Sequence, residues 1–177
     1  MHRFLNLITD VFPAFTLGTV EADRDVLSRP PRPPSEPILA RGQWIAIVVH
    51  GCVIASVTLV ALFAAVYELG LEGDAVTAMC FYTLALAQLW HVFNMRNWRD
   101  RLLTSQVTRN AYVWGAIALC LGILAVAALT PTLAQVLSLA PLPLEAWVAT
   151  LGLSIVPVVL RELAATVMRL RRNVGAS

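Results

Sequence analysis

Gln43-Trp44-Ile45-Ala46-Ile47-Val48-Val49-His50-Gly51-Cys52-Val53-Ile54-Ala55-Ser56-Val57-Thr58-Leu59-Val60-Ala61-Leu62-Phe63-Ala64-Ala65-Val66-Tyr67 contains no Asp, Glu, Lys or Arg. As a helix rising about 1.5 Å per residue, it is long enough to cross a hydrocarbon layer of about 30 Å. Three further apolar runs follow at residues 75–95, 111–129 and 146–168. The bilayer is therefore the solvent, and the chain reads as an all-α, polytopic membrane bundle. Residues 1–18 form a fifth span that is shorter and more polar. One ionised Asp near mid-bilayer costs about 2.5–3.5 kcal/mol on insertion scales, so this span needs neighbours.

Composition agrees with that reading. The chain is 58% hydrophobic and only 14% charged, too little charge to cover a soluble domain of this size. A net charge of +2, patterned locally, gives no support for nucleic-acid binding. Cys52, Cys80 and Cys120 all lie in apolar runs without metal-ligand spacing and read as small buried hydrophobes. The amino end is no signal peptide, because Asn6 and Asp10 interrupt its apolar stretch.

The Arg residues set an expected orientation. Residues 19–41 carry Arg24, Arg29, Arg32 and Arg41, and residues 96–109 carry Arg96, Arg99, Arg101 and Arg109. The tail carries Arg169, Arg171 and Arg172, whereas residues 70–74 and 130–145 have no Arg. The positive-inside rule places the Arg-bearing loops and the carboxy terminus in the cytoplasm of a multi-pass cell-membrane protein. Arg3 is the exception, and a start inside a helix whose earlier part is missing would account for it. The organisation is then a Pro-kinked span at 1–18, a Pro/Arg-rich cytoplasmic loop at 19–41, a four-helix bundle at 42–172 and a tail at 173–177. Within the loop, Arg29-Pro30-Pro31-Arg32-Pro33-Pro34 forbids helix and reads as a stiff connector.

Polar residues inside the spans are the candidate site. Asn6, Thr9 and Asp10 stand at i, i+3 and i+4, on one helical face. They offer an amide, a hydroxyl and a carboxylate, which are hard oxygen ligands suited to Ca²⁺ or a similar cation. Pro13 has no N–H for the carbonyl of Thr9, which frees a further oxygen beside Asp10. A polar face satisfied by a neighbouring helix is the competing explanation. Gln88, His91 and Asn94 form a second cluster in which Gln88 and His91 share a face and Asn94 drifts off it; for His91 and Asn94 interhelical hydrogen bonding is the simpler account. Arg161 is expected to snorkel towards the cytoplasmic interface, and Glu162 to pair within the bundle. Trp44, Tyr67, Trp98, Tyr112 and Trp147 fall near span ends and read as interface anchors.

The segment Asn6-Leu7-Ile8-Thr9-Asp10-Val11-Phe12-Pro13-Ala14 resembles the sixth transmembrane helix of calcium-pump-like P-type ATPases. Asp25-Val26-Leu27-Ser28-Arg29-Pro30-Pro31-Arg32 resembles the cytoplasmic loop that follows it in that family. With four more spans behind them, the resemblance covers essentially the whole chain, as family helices six to ten. It implies that Asn6, Thr9 and Asp10 match cation-coordinating positions. In the eighth family helix calcium pumps can contribute a Glu; the matching position here is Gln88, which removes one negative charge.

The family's Asp-Lys-Thr-Gly phosphorylation sequence is nowhere in the chain. No hydroxyl or thiol beside a base suggests a catalytic substitute, so the chain is expected not to be an enzyme and to hold no tightly bound cofactor. A cation at an incomplete site is the one ligand expected. The expected partners are the lipid bilayer and either the missing pump domains or further copies of the chain. Two other readings stay open: a free-standing structural or regulatory membrane subunit, and a small passive cation channel assembled around Asp10.

Overall fold

A computed structural model of the chain describes residues 41–95 and 110–174. Five helices occupy them: α1 (Arg41–Phe63), α2 (Asp74–His91), α3 (Ala111–Leu129), α4 (Pro131–Val136) and α5 (Leu144–Val174). There is no strand among the described residues. Four of these helices are long and apolar enough to cross a membrane, over Arg41–Glu68, Asp74–Asn94, Ala111–Leu129 and Leu144–Met168. Those bounds fall within two residues of the expected spans at every end. The first expected span, residues 1–18, and residues 19–40 of the loop expected at 19–41 lie outside the described residues.

In hydrocarbon every backbone N–H and C=O must be satisfied within its own segment, which explains why these runs are helical. The helix ends show how the chain leaves that regime. Beyond Phe63 the helix loosens into a π-helical turn, Ala64–Glu68. Leu69 N–H donates to the Ala64 carbonyl at 3.0 Å, and Leu71 N–H to that of Ala65 at 2.8 Å. Gly70 (φ +58°) and Gly73 (φ +52°) then reverse the chain into α2, backbone angles that cost a side-chain-bearing residue steric strain. At the start of α3, Asn110 caps the helix, its Oδ1 accepting from Tyr112 N–H at 2.9 Å.

Helix α2 is the centre of the bundle. Its membrane segment is 61% buried, against 11% for α1, 28% for α3 and 22% for α5. It packs most extensively on α5 and next on α1, which also touches α5. Since α2 and α5 are separated by one intervening span, they run parallel, and α1 runs against both. Ala61 of α1, Ala65 of the π-helical turn that continues it, Met79 of α2 and Ala146 of α5 make one buried cluster where these three meet. Three alanines let the backbones approach, as small residues do at membrane helix interfaces.

The other face of α2 packs against α3. Phe81, Ala85, Leu89, Val113, Ile117, Cys120 and Leu124 share a buried cluster, together with Leu137 and Leu139 from beyond α4. Residues 130–145 connect two spans without any Arg. They hold the short helix α4, with Pro131 in its first turn. The following segment is folded back, Ala140 N–H donating to the Asp74 carbonyl at 3.5 Å.

Two expectations need correction. Cys52 is exposed on α1 rather than buried, although Cys120 is buried and no disulfide forms. A thiol in an all-apolar helix carries no signal of which way it faces. Trp147 is half-buried and its ring lies 4.9 Å from that of Tyr82, so it packs inside the bundle. Trp44, Tyr67 and Tyr112 are exposed near span ends, where anchors belong. Trp98 lies outside the described residues.

Candidate functional site

Of the four expected cation ligands, Asn6, Thr9 and Asp10 lie outside the described residues, and only Gln88 is placed. It sits late in α2, half-buried, with its Oε1 fully enclosed and without a hydrogen-bond partner. An enclosed amide oxygen costs about 1–3 kcal/mol when unpaired. A carbonyl oxygen held dry inside a membrane bundle is also the kind of group that coordinates a hard cation. One neutral oxygen does not by itself make a site.

The rest of the polar cluster departs from simple interhelical bonding. Asn94 is buried, and its Nδ2 lies 3.4 Å from His91 Nδ1 on the same helix, a long contact one turn back. The Oδ1 of Asn94 has no partner. The His91 ring instead meets His50 of α1, with ring centres 5.0 Å apart and planes at 60°. His50 Nδ1 is in turn 2.6 Å from the Ala46 carbonyl.

Arg161 does not snorkel to the surface. It is 5% exposed, on the stripe of α5 that also buries Ala146, Thr150, Ser154, Pro157 and Ala165. That spacing of three and four residues is one helical face, and it is the face in the α2 and α1 seam. Hydropathy locates depth but not rotation, so nothing in the sequence said that this Arg turns inward.

Thr83 and Thr150 are residues that sequence reading passed over. Met79 and Ala146 share the three-helix cluster, and one turn further along their parallel helices stand Thr83 and Thr150. Both are fully buried, and neither Oγ1 has a hydrogen-bond partner. A Thr in a helix ordinarily bonds the carbonyl one turn back. Thr58 does so at 3.0 Å to Ile54 and Thr166 at 2.8 Å to Glu162, and Ser154 donates to Leu151 at 2.8 Å. Pro157 lacks an N–H for the Leu153 carbonyl in the same region of α5. The seam thus carries more polar capacity than its own hydrogen bonds consume.

Elsewhere, a cavity of about 190 Å³ opens at the opposite end of the bundle beside Tyr82 and Trp147, with apolar residues for most of its wall. No set of three or more His, Cys, Asp or Glu gathers among the described residues.

Comparison with known proteins agrees with this architecture. The family profile described as "Cation transporting ATPase, C-terminus" matches residues 4–167. A calcium-transporting ATPase of Bacillus subtilis is 32% identical over 155 residues, covering 87% of this chain and 17% of the relative. Calcium-transporting ATPase 1 of Lactococcus lactis is 29% identical over 165 residues, covering 93% and 18% respectively. Calcium-transporting ATPase type 2C member 2 of Mus musculus is 28% identical over 124 residues, covering 70% and 13%. The chain thus spans less than a fifth of the length of each of these relatives. With the matched region covering nearly the whole chain and four membrane helices in place, the chain belongs to the cation-transporting ATPase carboxy-terminal domain family.

Proposed function

We propose that the chain is the carboxy-terminal transport portion of a calcium-pump-like P-type ATPase, truncated or separately encoded, that contributes part of a cation site. The observation that carries this reading is the family match over residues 4–167, which takes in Asn6, Thr9, Asp10 and Gln88 together. Asp10 supplies the carboxylate, Asn6 and Thr9 supply neutral oxygens, and Pro13 frees the Thr9 carbonyl. Gln88 adds an amide oxygen that has no other partner. The calcium assignment follows the names of the relatives and the hardness of the oxygen donors.

The 177 residues contain no phosphorylation sequence, so the chain acts with the phosphorylation and nucleotide-binding domains of a pump rather than turning over ATP itself. The carboxy terminus is cytoplasmic, on the Arg distribution of the loops. The partners are the lipid bilayer and those pump domains.

Complementation tests the proposal. A Bacillus subtilis calcium-transporting ATPase, cut before the region this chain matches, is co-expressed with the chain, and ATP-dependent ⁴⁵Ca²⁺ uptake by vesicles is measured. Uptake should appear with the wild-type chain and vanish with Asp10→Asn. Uptake that ignores the Asp10 substitution would overturn the site assignment.

A further inference from the structure

We propose that His50 and His91 form a binding site for one borderline divalent transition-metal ion, such as Zn²⁺ or Cu²⁺, that ties α1 to α2. The two imidazoles come from adjacent helices, and their ring centres are 5.0 Å apart. With each nitrogen about 2.0–2.1 Å from a tetrahedral ion and each ring centre about 1 Å behind its nitrogen, two rings on one ion have centres about 5 Å apart. The observed spacing is that spacing.

The outer partners are also those of metal-bound histidines. Such a histidine gives its second ring N–H to an oxygen, which fixes the tautomer and leaves the other nitrogen as ligand. His50 Nδ1 lies 2.6 Å from the Ala46 carbonyl and donates to it, so Nε2 carries the lone pair. His91 Nδ1 lies 3.4 Å from the Asn94 carboxamide. The partnerless oxygen of that carboxamide, turned about the terminal torsion, accepts from His91 Nδ1–H and likewise leaves Nε2 open. Imidazole pairs suit Zn²⁺, Cu²⁺ and Ni²⁺, whereas Ca²⁺ prefers oxygen. The site is thus chemically distinct from the one proposed around Asp10.

No third His, Cys, Asp or Glu completes the set among the described residues, so exogenous ligands take the remaining positions. Both histidines are half-buried. His91 stands four residues from Met95, about 6 Å from that end of the helix.

The tag-free full chain in detergent is titrated with Cu²⁺ and read by electron paramagnetic resonance. The expected result is about one ion per chain, with splitting from two imidazole nitrogens and displacement by Zn²⁺ but not by millimolar Ca²⁺. His50→Asn and His91→Asn should each weaken binding at least tenfold, with helicity checked by circular dichroism. His2→Gln should leave binding unchanged. Asn94→Ala keeps both rings and should weaken binding about tenfold, as loss of an orienting partner does. Two results overturn the proposal: a wild-type spectrum without two-nitrogen splitting, or splitting that survives the double histidine substitution. Where a histidine variant fails to fold, the wild-type spectrum and the Asn94→Ala shift decide the matter. Loss of Cu²⁺ binding with Ca²⁺ behaviour intact would leave the pump assignment standing.

Discussion

Replacing Thr83 by Val should stabilise the bundle. Thr83 and Thr150 are both fully buried, with hydroxyls that bond nothing. A buried hydroxyl without a partner costs about 1–3 kcal/mol. Val keeps the branched shape at Cβ, so the substitution removes the polar atom without opening a cavity. The reference state moderates the gain. In a separated helix the Thr83 hydroxyl can turn to the carbonyl one turn back, as Thr58 and Thr166 do. Packing against α5 therefore costs about one modest hydrogen bond, and Thr83→Val should stabilise by about 1 kcal/mol. Thr150→Val should do the same, and the double variant should gain about 2 kcal/mol if the two sites act independently. Thr58→Val is the control: its hydroxyl is bonded within its own helix in both states, so stability should hardly change. The assay is reversible unfolding by SDS in mixed micelles, followed by tryptophan fluorescence. A loss of about 1 kcal/mol or more from Thr83→Val would refute the reasoning, because the hydroxyl must then have a bound partner, water or ion.

Three further outcomes are expected. In a cysteine-free background, Ser105→Cys should be labelled only from the cytoplasm and Thr132→Cys only from outside; the reverse pattern would reject the orientation. Purified chain should form no acid-stable phosphoenzyme with radiolabelled ATP, and a phosphoenzyme that survives stringent purification would reject the non-enzymatic reading. Asn110→Ala removes the cap on Tyr112 N–H and should lower stability by about 1 kcal/mol; an unchanged unfolding midpoint in the same SDS assay would show that water replaces the cap.

The sequence was most informative about depth. Runs such as 43–67 exceed the thickness of hydrocarbon, so the ends of the four described spans could be placed to within two residues. Rotation about the helix axis was not legible. Helix α1 is apolar nearly all round, so nothing marked Ala61 and Ala65 as inward or Cys52 as outward. The same blindness hid Arg161, whose inward turn depends on the parallel packing of α5 on α2. Helix α4 escaped because six residues carry too short a period to read, even with Pro131 marking its start. At the site, the resemblance to the pump family singled out Gln88, and the structure leaves its oxygen without a partner. The spacing of His91 did not reveal His50, since one sequence says nothing of which residue on α1 stands opposite. Thr83 and Thr150 looked ordinary because most helical threonines satisfy themselves.

Calcium titration of the purified chain tests the central claim, a partial cation site, most directly. Ca²⁺ sites take six to eight oxygens, and affinity rises with ligand charge and rigidity. Asn6, Thr9, Asp10, the carbonyl freed by Pro13 and Gln88 give about five oxygens with a single charge, fewer than Ca²⁺ normally takes. Isothermal titration in detergent should therefore give binding no tighter than the millimolar range, abolished by Asp10→Asn. Gln88→Glu restores a second carboxylate and should tighten binding about tenfold, equivalent to about 1.4 kcal/mol. Micromolar binding by the wild-type chain, or millimolar binding indifferent to both substitutions, would contradict the account.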